Sequence, residues 1–338
     1  VASGGTRRRD APLGFGRACL DSPKGDEQTV MARTCLYDLH RRLGGRMVDF
    51  HGWELPVQYE GILAEHRHCR TAAALFDTSH MGQFRLRGPR AAAALAHACT
   101  QNAEAMDVGR CRYGFLLTEA GGIRDDTILA RLGEEDFLLV VNADPREGDL
   151  AHLREAIGNA AEIEDQTPTW GKVDIQGPAS AAVLAENVDV DLSSLGYFRA
   201  TTAHCAARPC VLSRTGYTGE LGYEILAPQD ALPAIAEALL ADERVRPAGL
   251  GARDSLRLEM GYPLHGQDID ETSTPVEASL ERFLRFDHDF VGSAAVKKAA
   301  DEGPPRRAVA FRAETRRWAN TGDAVVQGAG AQRRPDRL

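Results

Sequence analysis

The sequence lacks most of the signatures that would assign a function at once. There is no G-x-x-x-x-G-K-[ST] phosphate loop and no G-x-G-x-x-G opening a helix. Gly249-Leu250-Gly251 is a lone G-x-G and carries little weight. No G-x-S-x-G elbow is present. No Cys-x-x-Cys pair occurs among the seven cysteines (Cys19, Cys35, Cys69, Cys99, Cys111, Cys205 and Cys210), and their number is odd. That pattern points to reduced thiols in a cytoplasmic setting rather than a disulfide framework. No apolar run approaches the roughly 18 residues of a membrane span. The net charge is −9, and an acidic chain without a basic patch is a poor nucleic-acid partner. His66, His68 and Cys69 do not share a helix face, so a metal site there is set aside.

What is present is an ordinary soluble composition, 43% apolar and 26% charged, in 338 residues. Residues 1–30 carry an arginine cluster with no apolar run behind it, and several acids. They read as a disordered extension, neither secretory signal nor transit peptide. Helices are expected at Glu60–Leu75, from Pro89 through the alanines of 91–98, at Gly148–Gly158, after Pro178, at Leu232–Asp242 and from Ala252 to Gly261. Strands are expected at Gln83–Leu86, Tyr113–Thr118, Asp126–Leu132, Asp136–Asn142, Lys172–Gln176, Cys210–Arg214 and Gly222–Leu226. No βαβ series is evident, so the class is α+β with antiparallel hairpins. Residues 302–338 are rich in Arg, Gly, Ala and Pro, with one strand-like run at Ala308–Phe311, and cannot form a domain alone.

Three segments combine glycine with charge. Gly121-Gly122-Ile123-Arg124-Asp125-Asp126 lies between strand signals and is most economically a polar turn. Alternatively its glycines admit a ligand to the backbone, and Asp126 faces a pocket where it accepts a proton from an amine nucleophile. In Arg214 to Glu224, Glu224 could accept the paired N–H donors of a heterocycle edge, or the segment is a surface hairpin. Arg253, near a helix start, is either a solvated charge or a ligand contact.

The order and wording of the segments are more specific than any one of them. Leu36 to His40, Gly44 to Val48, Gly52 to Tyr59 and Leu75 to Gly82 resemble the start of the aminomethyltransferase family, the T proteins of the glycine cleavage system. The resemblance continues through the Gly-Gly-x-x-Asp-Asp turn, Val140 to Ala143, Gln176-Gly177-Pro178, Thr215 to Glu220, Gly249 to Glu259, and Asp268 to Pro275 with Glu277. It implies a three-domain cloverleaf around a folate channel, with residues 31–285 as a folate-binding core of two intertwined α+β domains. The implied reaction moves the carbon of an aminomethyl group, held on the lipoyl arm of the H protein, to tetrahydrofolate. The products are 5,10-methylenetetrahydrofolate, ammonia and the dihydrolipoyl protein, and no metal is needed. Asp126 matches the catalytic carboxylate. Met81, Tyr113, Asn142, Glu224, Arg253 and Tyr262 match folate-contacting positions. Lipoylated H protein is the implied partner; nucleic acid and membrane are not.

Three departures from the pattern stand out. Arg124 replaces an apolar residue, and strict alternation would put it on the face of Asp126 and lower that carboxylate's pKa. His265 stands where the family commonly has Tyr. The match decays after about Glu314, so residues 286–338 are expected to form only a truncated barrel and an irregular tail. A second reading of the whole is another folate-dependent demethylase or methyltransferase of the same superfamily, and a third is a truncated inactive product.

Overall fold

The computed structural model describes residues 31–309. The expectations for residues 1–30 and for residues 310–338 lie outside them. Two antiparallel-rich sheets dominate. The first, five-stranded, is built from one contiguous stretch: β4 (Gly82–Arg87), β5 (Cys111–Leu117), β6 (Ile123–Gly133), β7 (Asp136–Val141) and β8 (Glu162–Asp165), in the order β5-β6-β7-β4-β8. The second has six strands: β3 (Ala73–Asp77), β9 (Trp170–Gln176), β10 (Ala200–Cys205), β11 (Arg208–Ser213), β12 (Gly222–Pro228) and β13 (Val245–Pro247). Their order is β10-β11-β12-β9-β3-β13. Between the strands of this sheet only the β3–β13 pairing is parallel. A two-stranded hairpin, β1 (Arg46–Phe50) with β2 (Trp53–Gln58), stands apart. The mixed, largely antiparallel class is as expected, and no sheet closes into a barrel among the described residues.

Alternation along each strand assigns the sheet faces. In the five-stranded sheet Phe84, Leu116, Leu129, Leu139 and Val141 pack under α3 (Ala91–Ala98) and α4 (Arg146–Ile157). In the six-stranded sheet Val173, Ile175, Leu212 and Ile225 pack under α5 (Ser180–Ala185) and α6 (Leu232–Leu240). The opposite faces meet each other. Cys111, Ala130, Leu138 and Val140 of one sheet share a buried cluster with Ala200, Val211 and Leu226 of the other. Two further helices flank the second sheet, α2 (Ile62–Thr71) and α7 (Leu250–Glu259), joined to β3 through Cys69, Phe76 and Ala252.

Most expected elements form, with shifted ends. The expected helix at Glu60–Leu75 stops at Thr71, and its last residues belong to β3. Ala74 and Phe76 are drawn into the sheet beside β9 and β13, so tertiary pairing overrides the helical reading. Strands β1, β2, β8, β10 and β13 are not among the expected ones; β8 and β13 are only four and three residues long, too short for a pattern to mark them.

Candidate active site

The turn before β6 controls the geometry. Gly121 has φ +84°, a left-handed value that suits glycine. A Cβ on Gly122 would lie 1.9 Å from the carbonyl oxygen of Glu271. Ile123 N–H donates to the carbonyls of Asp270 and Ser273 at 3.2 and 2.9 Å. The expectation that the glycines admit a ligand is therefore corrected: the backbone that approaches them is the chain's own 270–273 loop.

After Ile123 the ladder slips by one residue. Ile123 pairs with Leu117, yet Asp125 pairs with Leu116, so Arg124 is an extra residue in a β-bulge. The bulge breaks the alternation assumed for Arg124. Its guanidinium reaches Glu271 at 3.6 Å and comes to 3.9 Å of where a Cβ on Gly148 would be, at the start of α4. Its charge acts on Asp149.

Beyond the bulge the two acids part. Asp125 lies in the Thr127–Leu129 row, towards α4, and is fully buried. Asp126 pairs with Phe115 in the Tyr113–Ile128 row, towards the second sheet, and stays partly open. Asn142, just past β7, holds both. Its side-chain amide donates to Asp125 Oδ1 and Asp126 Oδ1, each at 2.8 Å, and its backbone N–H donates to Asp125 Oδ2 at 2.8 Å. Tyr113 O–H donates to Asp126 Oδ2 at 3.0 Å. Burial raises the Asp126 pKa, against the pull of Tyr113, nearby His265 and Asn142. Burial raises Asp125 much further, aided by the charges of Asp149 and Asp126.

The facing wall comes from the second sheet. Lys172, Asp174 and Glu224 occupy one face of neighbouring β9 and β12 (Glu224 pairs with Asp174) and are buried. Lys172 Nζ donates to Asp174 Oδ1 at 2.5 Å and Glu224 Oε1 at 2.6 Å. Thr215 donates to Glu224 Oε2 at 2.5 Å. Arg253 of α7 donates to Asp174 Oδ2 at 2.9 Å, and its guanidinium sits 4.8 Å from the ring centre of Tyr217. Burial alone would raise the Asp174 pKa, but Lys172 and Arg253 overcome it and hold it low. Tyr262 stacks on Tyr217 at 5.8 Å, and Tyr217 bonds the carbonyl of Pro263. Burial, and after it the charge of Asp126, raises the Tyr217 pKa, and the sheets that carry the two groups meet through their shared buried cluster. His80 lies among Arg253, Lys172 and Asp174. It is buried with Nδ1 unpartnered, and burial takes its pKa down to about 4.

The structure thus brings Asp126, Tyr113 and Asn142 together, and joins Glu224, Arg253 and Tyr262 through Lys172, Asp174 and Tyr217. Met81 packs at the edge of the inter-sheet cluster. Lys172, Asp174, Tyr217 and Asp149 were not anticipated. The first two had a signal: two charges two residues apart in an otherwise apolar strand, Trp170–Gln176, belong to one face.

Two β-walls, one bearing a hydrogen-bonded carboxylate and the other a buried ion-pair network, define a GCVT-type protein, and a family model described as the GCVT N-terminal domain matches residues 36–288. An aminomethyltransferase of Rubrobacter xylanophilus is 43% identical over 302 residues, covering 88% of this chain and 81% of that protein. One from Thermus thermophilus is 46% identical over 268 residues, covering 79% and 76%. The crystal structure of the glycine cleavage system aminomethyltransferase T of Bartonella henselae superposes with a TM-score of 0.76 at 37% identity, covering 81% of this chain and 76% of that one. The chain belongs to the aminomethyltransferase family, the T proteins of the glycine cleavage system.

Proposed function

We propose that this enzyme transfers the one-carbon unit of aminomethyl-lipoyl H protein to tetrahydrofolate, releasing ammonia and dihydrolipoyl H protein and forming 5,10-methylenetetrahydrofolate. Tetrahydrofolate supplies the amines that accept the carbon. The observation that carries the reading is the separation of the acids. Asp125 is sealed, whereas Asp126 is partly open, faces the second sheet and is fixed by two donors. A carboxylate so held can orient an amine and lower the energy of the positive charge that develops beside it. Glu224 keeps acceptor capacity beyond Lys172 and Thr215, since each carboxylate oxygen has two lone pairs, and suits the N–H edge of a pterin. Arg253, Tyr262 and Met81 complete the proposed folate contacts, in a channel between the sheets. The division into an intertwined core of residues 31–285 and a further C-terminal region belongs to the same reading.

Asp126→Asn is expected to cut turnover by about 10²-fold or more while the fold, read by circular dichroism, is kept. Parent-like turnover would remove Asp126 from this role. Supplying H protein whose lipoyl arm carries the aminomethyl group in one assay, and free N- or S-methyl donors in another, separates an aminomethyltransferase from a folate-dependent demethylase. Methylenetetrahydrofolate should form only with the former.

A further inference from the structure

Behind the site lies a third acid that the proposed chemistry does not use. Asp149, in the first turns of α4, is fully buried, and neither of its carboxyl oxygens meets a protein donor. Its side chain nevertheless lies within hydrogen-bonding reach of the Asp125 carboxyl. Two ionised carboxylates cannot bond each other, because neither has a hydrogen to give. Two buried like charges side by side would also be strongly unfavourable. Among the described residues no charged group makes an ion pair with Asp149, although the charge of Arg124 acts on it in favour of the ionised form. Arg124 is engaged with Glu271, His265 Nδ1 stands 4.0 Å from Asp125 Oδ1, Asp126 adds negative charge, and His152 further along α4 shares the field of Arg124.

We propose that Asp149 and Asp125 share one proton, and that this neutralised pair is a positioning device for Asp126. The proton gives each acid a hydrogen-bonding partner. Asp125, so held, accepts both N–H groups of Asn142, and the same Asn142 amide then orients Asp126. The line Asp149–Asp125–Asn142–Asp126 runs from helix to site through the sheet. Asp149 touches no reacting atom.

The consequence for pH has a definite sign. Burial pushes the Asp149 carboxyl up to about 7 and Asp125 well above its ordinary range. The folded pair keeps a proton that the unfolded chain loses near pH 4, so its stabilising contribution falls as pH rises above that point. Once the proton leaves, the pair repels itself and Asn142 loses its anchor.

The test uses the full chain. The infrared carbonyl stretch of a protonated aspartic acid should be present at neutral pH. It should vanish in Asp149→Asn, whose amide is a permanent donor to Asp125, and persist in Asp126→Asn. Absence of the band in the parent, or its loss only in Asp126→Asn, overturns the proposal. Activity gives a second readout, which rests on the proposed role of Asp126 whereas the infrared readout does not. In the parent kcat/KM should drop by roughly tenfold per pH unit on its alkaline limb once the proton is lost. In Asp149→Asn that limb should move at least one unit higher. An unmoved limb counts against the pair. If Asp149→Asn does not fold, the parent spectrum and Asp126→Asn decide.

Discussion

At the residue scale the most exposed dependency is Lys172. It is the sole ammonium against two buried acids, Asp174 and Glu224, and its side chain is 1% exposed. Breaking a buried ion pair by removing one partner leaves the other charge uncompensated and costs about 3–5 kcal/mol. Lys172→Met should therefore lower the thermal midpoint clearly and weaken the proposed folate binding at the same time, because Glu224 loses the donor that fixes it. A midpoint within the error of the parent would show that Arg253 and Thr215 suffice. The residue type at position 172 was visible in the sequence. Its meaning was not, because the carboxylates it serves lie two and fifty-two positions away and meet only when β12 pairs with β9.

At the scale of elements the site is built by a turn and a bulge. The turn is clamped to the 270–273 loop through Gly122, so Gly122→Ala should cost about 2 kcal/mol or more, since its Cβ would overlap the Glu271 carbonyl. Comparison of urea midpoints with the parent checks this; an equal midpoint would mean that the loop yields freely. The strands flanking the turn were legible from alternation, and Asp126 was legible as the facing acid from an ordered set of motifs. The bulge was not. One extra residue in a ladder leaves no mark in composition or period, and it moved Arg124 from the site to the side of α4. The same limit explains β3, where a helical pattern yielded to pairing with β9, and Gly122, whose close neighbour Glu271 is 149 residues further along the chain.

At the scale of the whole molecule, buried titratable groups set opposing slopes of stability against pH. His80 is held neutral by burial, with its pKa lowered from 6.5 to about 4, so the unfolded chain binds more protons between those values and stability rises with pH across that window. The Asp77 side chain would be raised by burial, but its bond to His40 overcomes this and holds it at about 2, so its contribution is lost as pH falls from about 4 to 2. Asp149 acts in the opposite sense between about 4 and 7. The parent midpoint should change little across the middle of this range and fall steeply below pH 4. In Asp149→Asn the midpoint should instead climb from pH 4 towards 7, because the His80 slope is no longer offset. Calorimetric scans across the range check both curves, and parallel curves for parent and variant would refute the offset. No helix of the described residues is long and apolar enough to cross a membrane.

The layout of the two sheets also fixes an order of manufacture. All five strands of the first sheet, and with them Tyr113, Asp126, Asn142 and Asp149, precede Trp170, the first residue of β9, in the order of synthesis. The second sheet already has β3 but cannot be completed until Pro247 is added, because β13 closes its edge against a strand made some 170 residues earlier. A nascent chain therefore assembles its acids and their shared amide first, and carries them as half of a mould. The wall that bears Glu224 and Arg253 is cast against that half later.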